Sequence, residues 1–266
     1  MFERFHHSAH PLHEIYSRKT LQQPVLQLKE IEASELKKDA LLPSNLLNKP
    51  ILQEKKIILD TNIEYDKRRK DNLILPKELN SQLAEFLAYY MGDGHKSSEF
   101  SLRLTDSSIQ LLEHHKDLVK KIFNFEAKIR HHSDKTKNAF ILEINNVKII
   151  RFLEKNFPEA FLKTREIHAP EKIINSSLEI RISFLRGFAD AEGTVTNIIK
   201  ITSFSQKMLE DLQYFLSLEE IPSNIKKDNS ICLNSKFSVY KFDKKIGFSA
   251  LNKQNKLNQL VQNYDF

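Results

Sequence analysis

Two nine-residue segments constrain this chain more than any other feature. They are Phe86-Leu87-Ala88-Tyr89-Tyr90-Met91-Gly92-Asp93-Gly94 and Leu185-Arg186-Gly187-Phe188-Ala189-Asp190-Ala191-Glu192-Gly193. Each carries two small residues four apart, Ala88 with Gly92 and Gly187 with Ala191, which places each pair on one helix face. Each ends in a carboxylate followed by glycine. The chain has only five glycines in 266 residues, where average usage of about 7% would give about eighteen. Four of the five lie in these segments. Glycine inside a helix costs about 0.5–1 kcal/mol relative to alanine. Its retention there predicts two helices whose backbones pack closely, with Ala88, Gly92, Gly187 and Ala191 at the interface.

The surroundings of each segment also repeat. A helix capped by Asn80 or Ser81 carries Leu83, Phe86, Leu87 and Tyr90 at helical spacing; a second, capped near Ser176 or Ser177, carries Ile180, Phe184 and Phe188. Gly94 and Gly193 stand where glycine commonly closes a helix. After the first come a strand-like stretch at 99–105, a helix opened by Ser107-Ser108 and running to about Phe123, and a second strand at 126–129. After the second come a strand-like stretch at 194–203, a helix from Ser205 to about Leu218, and a strand at 221–226. Asp93 and Glu192 lie 99 residues apart, Ser107 and Ser205 lie 98 apart. Matching order and spacing predict an internal duplication.

The bulk numbers exclude several classes. No apolar run reaches the 18 or so residues of a membrane span, and the start lacks a signal-peptide apolar stretch. A single cysteine, Cys232, excludes an internal disulfide and a zinc-finger cluster. These features predict an intracellular protein. Lysine plus arginine is 41 against 35 acidic residues, a net charge of +6, which permits nucleic-acid binding without demonstrating it.

Parallel packing of the two helices brings Asp93 and Glu192 together at their C-terminal ends. The helix dipole disfavours an anion there, and two close carboxylates repel. Divalent cations remove both objections. Oxygen ligands suit Mg²⁺, and paired ions activate water and stabilise the leaving oxygen of a phosphodiester. The predicted metal site is Asp93 and Glu192, with Gly92 and Ala191 beside them.

The nonapeptides resemble the LAGLIDADG motif of homing endonucleases, the second copy more closely. The flanks Leu75-Pro76-Lys77-Glu78-Leu79-Asn80 and Pro170, Ile173 and Ser176 are similar to the intein-associated branch. The resemblance spans roughly residues 75–260. It implies an α+β fold, a monomer of two pseudo-two-fold αββαββα halves whose antiparallel sheets form a DNA-binding saddle. It implies Mg²⁺-dependent hydrolysis of both strands of double-stranded DNA across the minor groove, with two or three ions and Mn²⁺ as a substitute. One carboxylate would come from each motif helix. In the first copy Met91 replaces the motif's earlier acidic residue and Ala88 its first glycine. The family also places basic residues near the scissile phosphates. Lys253 matches in the second half. In the first half Ile167 stands where a lysine is common, leaving Lys163 or His168 as substitutes.

DNA contacts are expected from strand residues on the saddle: Arg103, Lys128, Arg130, His132, Lys135 and Lys137 in one half, Lys200, Lys226, Lys227, Lys236, Tyr240 and Lys241 in the other. Lysines on phosphates give salt-dependent affinity; arginines on guanine edges give sequence choice.

The expected organisation is an arm and charged connector over 1–74, a first repeat over 75–168 and a second over 169–266. The run Asp66-Lys67-Arg68-Arg69-Lys70-Asp71 reads as solvated linker. His10-Pro11-Leu12 and the stretch from Ala33 to Pro43 weakly resemble part of an intein splicing domain. Met1 at the start and Asn263-Tyr264-Asp265-Phe266 at the end lack splicing junction chemistry, so no splicing is expected. The arm is left as a DNA-binding element or a packing element. Two rivals to the nuclease remain: a catalytically silent DNA-binding regulator, and a maturase that binds intron RNA.

Overall fold

The computed structural model describes residues 56–64, 72–134, 136 and 138–264. The histidine-rich arm, the resemblance at His10 and Ala33–Pro43, the Asp66–Asp71 run, Lys135 and Lys137 lie outside them. The order is α1 (Ser81–Asp93), β1 (Gly94–Ser98), β2 (Ser101–Asp106), α2 (Ile109–Phe123), β3 (Lys128–His131), β4 (Phe140–Ile144) and α3 (Val147–Asn156). A 3-10 turn (Pro158–Phe161) and a one-turn α4 (Glu171–Ile174) lead into α5 (Leu178–Glu192). The pattern then returns: β5 (Gly193–Val195), β6 (Ile199–Thr202), α6 (Gln206–Leu218), β7 (Asn224–Lys226), β8 (Ser230–Leu233), α7 (Lys236–Lys245) and α8 (Leu251–Gln262). The two four-stranded sheets are antiparallel and share one order, β1-β2-β4-β3 and β5-β6-β8-β7. The duplication is therefore structural, in an α+β fold.

Local chemistry sets the helix ends. The Asn80 side chain accepts the Leu83 N–H at 2.9 Å, Ser108 caps α2, Asn146 caps α3, Ser205 caps α6 and Ser235 caps α7. Ser177 stands at the N-cap of α5 without a side-chain bond. α2 ends at Asn124, whose φ of 51° is left-handed, a conformation asparagine tolerates.

α1 and α5 pack side by side in parallel. Ser81 Oγ donates to Glu179 Oε1 at 2.8 Å near their N-termini. A Cβ on Gly187 would strike the Glu85 carbonyl and lie 3.1 Å from the Ala88 Cβ; a Cβ on Gly92 would strike the Ala191 Cβ. The four small residues predicted at the interface meet there. Gly187→Ala is expected to cost about 1–3 kcal/mol, lowering Tm by roughly 3–10 °C. An unchanged melting temperature would remove the close-approach explanation.

Gly94 and Gly193 close α1 and α5 as expected, in extended backbone at φ −95° and −88°. Glycine is needed because a Cβ would meet the carbonyls of Tyr90 and Ala189 one turn back. The stretch 194–203 is not one strand but the hairpin β5–β6, turned between Val195 and Ile199. Residues 56–64 of the connector pack on the first repeat. Leu59 is buried, its N–H donates to the Lys77 carbonyl at 2.9 Å, and Asn156 exchanges two hydrogen bonds with the Asp60 backbone.

Alternation along the strands separates two faces. Leu102, Leu104, Leu142 and Ile144 of one sheet, and Ile199, Ile201, Ile231 and Leu233 of the other, belong to the helix-covered core. The opposite faces carry Arg103, Glu143, Lys128 and Arg130 in register, and Thr194, Lys200, Cys232 and Asn224 likewise.

Candidate active site

The last turns of α1 and α5 bring Asp93 and Glu192 to one place. A Cβ on Gly92 would stand 3.2 Å from Glu192 Cγ. Burial first, then the charges of Glu192 and Asp106, push the Asp93 carboxyl up to about 7. Burial also raises Glu192, against a hydrogen bond from the Thr202 hydroxyl at 3.2 Å and the charge of Lys253. No hydrogen bond from the described residues lowers the Asp93 carboxyl, so a half-buried carboxylate faces other carboxylates with only the charge of Lys253 to offset them. That is the situation a divalent cation relieves. Among the described residues no group of three or more His, Cys, Asp or Glu side chains forms a complete cage. Asp93 and Glu192 supply oxygen donors only, the ligand chemistry of hard divalent cations.

Lys253 lies in the first turn of α8. Its ammonium donates to the carbonyls of Asp190, Ala191 (3.3 Å) and Ala189 (3.4 Å), the acceptors at the end of α5. The predicted neighbour of the metal, Ala191, thus has its carbonyl engaged by this lysine. Burial lowers the Lys253 pKa, against the charges of Asp190, Asp93, Asp106 and Glu192. The structure brings Lys253 into the carboxylate cluster. Lys163 is instead exposed in the loop before α4, where its carbonyl accepts the Glu166 and Ile167 N–H groups. His168 hydrogen-bonds at Nδ1 to the Ala169 carbonyl.

Three residues of the site were missed as functional in the sequence. Asp190 is fully buried and accepts the Ser249 and Ala250 N–H groups at 3.1 and 3.0 Å. It fixes the backbone that enters α8, whose N-cap, Ala250, makes no side-chain bond. Burial raises its pKa to about 6, against those two bonds. In the first copy Met91 takes this place, and the N-cap of α4 is Pro170, which has no N–H to satisfy. Asp106 accepts the Tyr89 hydroxyl at 2.8 Å and adds a third carboxylate near Asp93. Tyr89 in turn stacks on the buried His115 imidazole at 3.9 Å; burial pushes that group down to about 3, so it packs as a neutral ring. Glu85 bridges the repeats: Oε1 meets His114 Nε2 and Ser249 Oγ, each at 2.7 Å. Its signal in the sequence was a carboxylate on an otherwise apolar helix.

The strand candidates divide. Arg103, Lys128 and Arg130 lie on the outer sheet face, but both arginines pair with Glu143 at 2.9 Å, and Arg130 holds that carboxyl below its usual range. His132 follows β3 and pairs its backbone with Ala139. Lys200 pairs with Asp228 at 2.8 Å, Lys226 is exposed on β7, and Lys227 sits in the following turn. Lys236, Tyr240 and Lys241 are corrected: they stand on helix α7, not on a strand. Ser235 caps that helix, and Val239 and Phe242 tie it into the core. Lys241 is held by Glu220 at 2.8 Å.

Paired motif helices, duplicated sheets and apposed carboxylates define one class of fold. A family model described as LAGLIDADG-like domain matches residues 80–156 and 179–247, and the chain belongs to that family. A glutamine–fructose-6-phosphate aminotransferase of Methanocaldococcus jannaschii is 30% identical over 218 residues, 77% of this chain and 19% of that protein. A replication factor C small subunit of the same organism is 27% identical over 70% of this chain and 10% of that one. The chain thus spans a fifth or less of the length of these relatives. Among solved structures, I-DmoI in complex with DNA and Ca is 19% identical with a TM-score of 0.50, covering 67% of this chain and 97% of that one. This shows the shared fold. No described helix is long and apolar enough to cross a membrane.

Proposed function

We propose that the protein is a monomeric homing endonuclease that hydrolyses double-stranded DNA at a specific site with Mg²⁺. The observation that carries this is the meeting of Asp93 and Glu192, one from each repeat, at the tight end of the α1–α5 pair. Bound ions would be held by these carboxylates and by phosphate oxygens, and would supply water activation and charge neutralisation. The protein's own groups set the frame. Asp190 fixes the start of α8 and so aims Lys253, Tyr89 restrains Asp106, and Thr202 orients Glu192. In the hydrolysis the hydroxyl of water joins phosphorus, the P–O3′ bond breaks, and the water's proton ends on the departing 3′ oxygen. The outer sheet faces, with Arg103, Lys128, Arg130, Lys200 and Lys226, form the saddle over DNA.

Selection of cleaved duplexes from a genomic or random DNA library in Mg²⁺ tests the reading. One recurrent long site with short 3′ overhangs is expected, lost in EDTA and restored by Mn²⁺. Tight, specific binding with no cleavage under any divalent ion would favour a silent regulator instead. Lys128→Ala and Lys226→Ala are each expected to weaken binding evenly across sequences and reduce the salt slope by about 1. An unchanged slope would remove those side chains from the interface.

A further inference from the structure

The turn between β6 and α6 presents a large apolar ring beside the carboxylates. Phe204 is 70% exposed, the most exposed of the large apolar side chains among the described residues. A lone surface phenyl needs no explanation by itself; its place and its footing do. Two residues back, the Thr202 hydroxyl donates to Glu192 Oε2 at 3.2 Å, and Phe204 lines one cavity of about 300 Å³ with Glu192, Gly92 and Met91. The backbone on both sides is pinned. The Ser203 N–H donates to the Asn229 carbonyl at 3.1 Å, and Ser203 Oγ accepts the Ser205 N–H at 3.2 Å. Ser205 caps α6 and donates to the Ile167 carbonyl at 2.5 Å. Both serines are buried. The chain thus holds the ring outward beside Glu192 instead of letting it settle into the core. The equivalent position in the first repeat, one before the capping serine of α2, is the polar Ser107.

The nuclease reading, on which this inference rests, lays a duplex across Asp93 and Glu192. There a phenyl ring has no partner among phosphates, which take hydrogen bonds and cations. The apolar surface that a duplex offers such a ring is the stacked faces of its bases. We infer that Phe204 enters the duplex as a wedge between two adjacent base pairs beside Glu192, and that the protein thereby selects an easily unstacked step there without hydrogen-bonding its bases. Apolar side chains inserted in this way unstack one step and kink the double helix, and the cost is lowest at the flexible pyrimidine–purine steps, TA and CA/TG. With serine at the equivalent position, the first repeat supplies no second wedge, so the kink is single and off-centre.

The test uses the full chain and a site recovered by selecting bound duplexes in Ca²⁺. Fluorescent aminopurine, which stacking quenches, replaces one adenine at a time across the centre of that site. Binding of the wild type in Ca²⁺ is expected to raise the fluorescence at one off-centre step. Phe204→Ala should abolish the rise, and it should melt with the wild type because the ring is exposed. Selection repeated with that variant should show the preference for a pyrimidine–purine step relaxed by about tenfold or more. Phe204→Leu, which keeps an apolar wedge, should retain the greater part of the rise. A bound duplex without a rise, a rise unchanged in Phe204→Ala, or an unchanged step preference in that variant would overturn the inference and leave the nuclease reading standing. Failure of the wild type to cut the site in Mg²⁺ or Mn²⁺ would instead defeat that reading, while the fluorescence in Ca²⁺ still decides on the wedge. A wild type that binds no duplex would overturn both.

Discussion

Asp93→Asn and Glu192→Gln are each expected to lower the cleavage rate by at least about 10³-fold while leaving site-specific binding largely intact. The reason is positional. The two carboxylates end adjacent helices and face one another, whereas the basic side chains available to DNA stand on the outer sheet faces. Losing one carboxylate removes metal neutralisation of the scissile phosphate, an effect of several kcal/mol, and each 1.36 kcal/mol is tenfold in rate. Single-turnover cleavage with saturating protein, alongside a binding titration in Ca²⁺, separates the two effects. Full activity in either variant would end the claim that these carboxylates hold the catalytic ions. Equal loss of binding would place them in DNA recognition instead.

The second large effect is on stability. Asp93 titrates near 7 in the folded protein, against 3.8 for an ordinary aspartate. At pH 8 the group is charged in both folded and unfolded chains, so the fold bears the full cost of a half-buried anion beside Glu192. As pH falls through 7 the folded state takes up a proton that the unfolded chain does not bind until about 4. The cost shrinks across that window and is gone below it. Without divalent ions, Asp93→Asn is therefore expected to stabilise the protein at pH 8, by ~2–4 kcal/mol at 1.36 kcal/mol per unit. The gain should fade as pH approaches 4. Adding Ca²⁺ at pH 8 should stabilise the wild type more than the variant, since only the wild type retains both carboxylates. Thermal melts at pH 4, 6 and 8, with and without Ca²⁺, check all three statements. An Asp93→Asn protein less stable than wild type at pH 8 in EDTA would show that the carboxylate is already satisfied by the protein.

Much of the fold was legible because its signals are local. Asn80, Ser108 and Ser205 mark helix starts by a side-chain oxygen three residues before an N–H it accepts. The predicted ends of α2 at Phe123 and α6 at Leu218 match the structure because apolar periodicity stops there. β1, β4, β8, α3, α4, α7 and α8 escaped notice: β4 and β8 are only five and four residues long, and Lys236, Tyr240 and Lys241 look like strand residues until Val239 and Phe242 are seen buried together. The paired arginines on Glu143 were also hidden. Their register is fixed by β2–β4 and β3–β4 pairing, which brings residues 103, 128, 130 and 143 together from three separate strands.

The sequence by itself determined the duplication, the small-residue faces of α1 and α5, and Asp93 and Glu192 as the acidic residues at their ends. Each of these is a pattern in spacing and residue size, readable without a third dimension. Only the tertiary structure decided which basic residue reaches the carboxylates, because that depends on where α8 starts. Asp190 sets that start by accepting the N–H of Ala250, 60 residues later, while Lys163, equally basic in the sequence, is left in solvent. The same long-range packing placed Asp106 near Asp93 and put Ile167 and Glu192 on the walls of one cavity. Two carboxylates at matching places in the two motifs therefore sit in unequal surroundings, because electrostatics at a buried site depends on distance through space rather than on position along the chain.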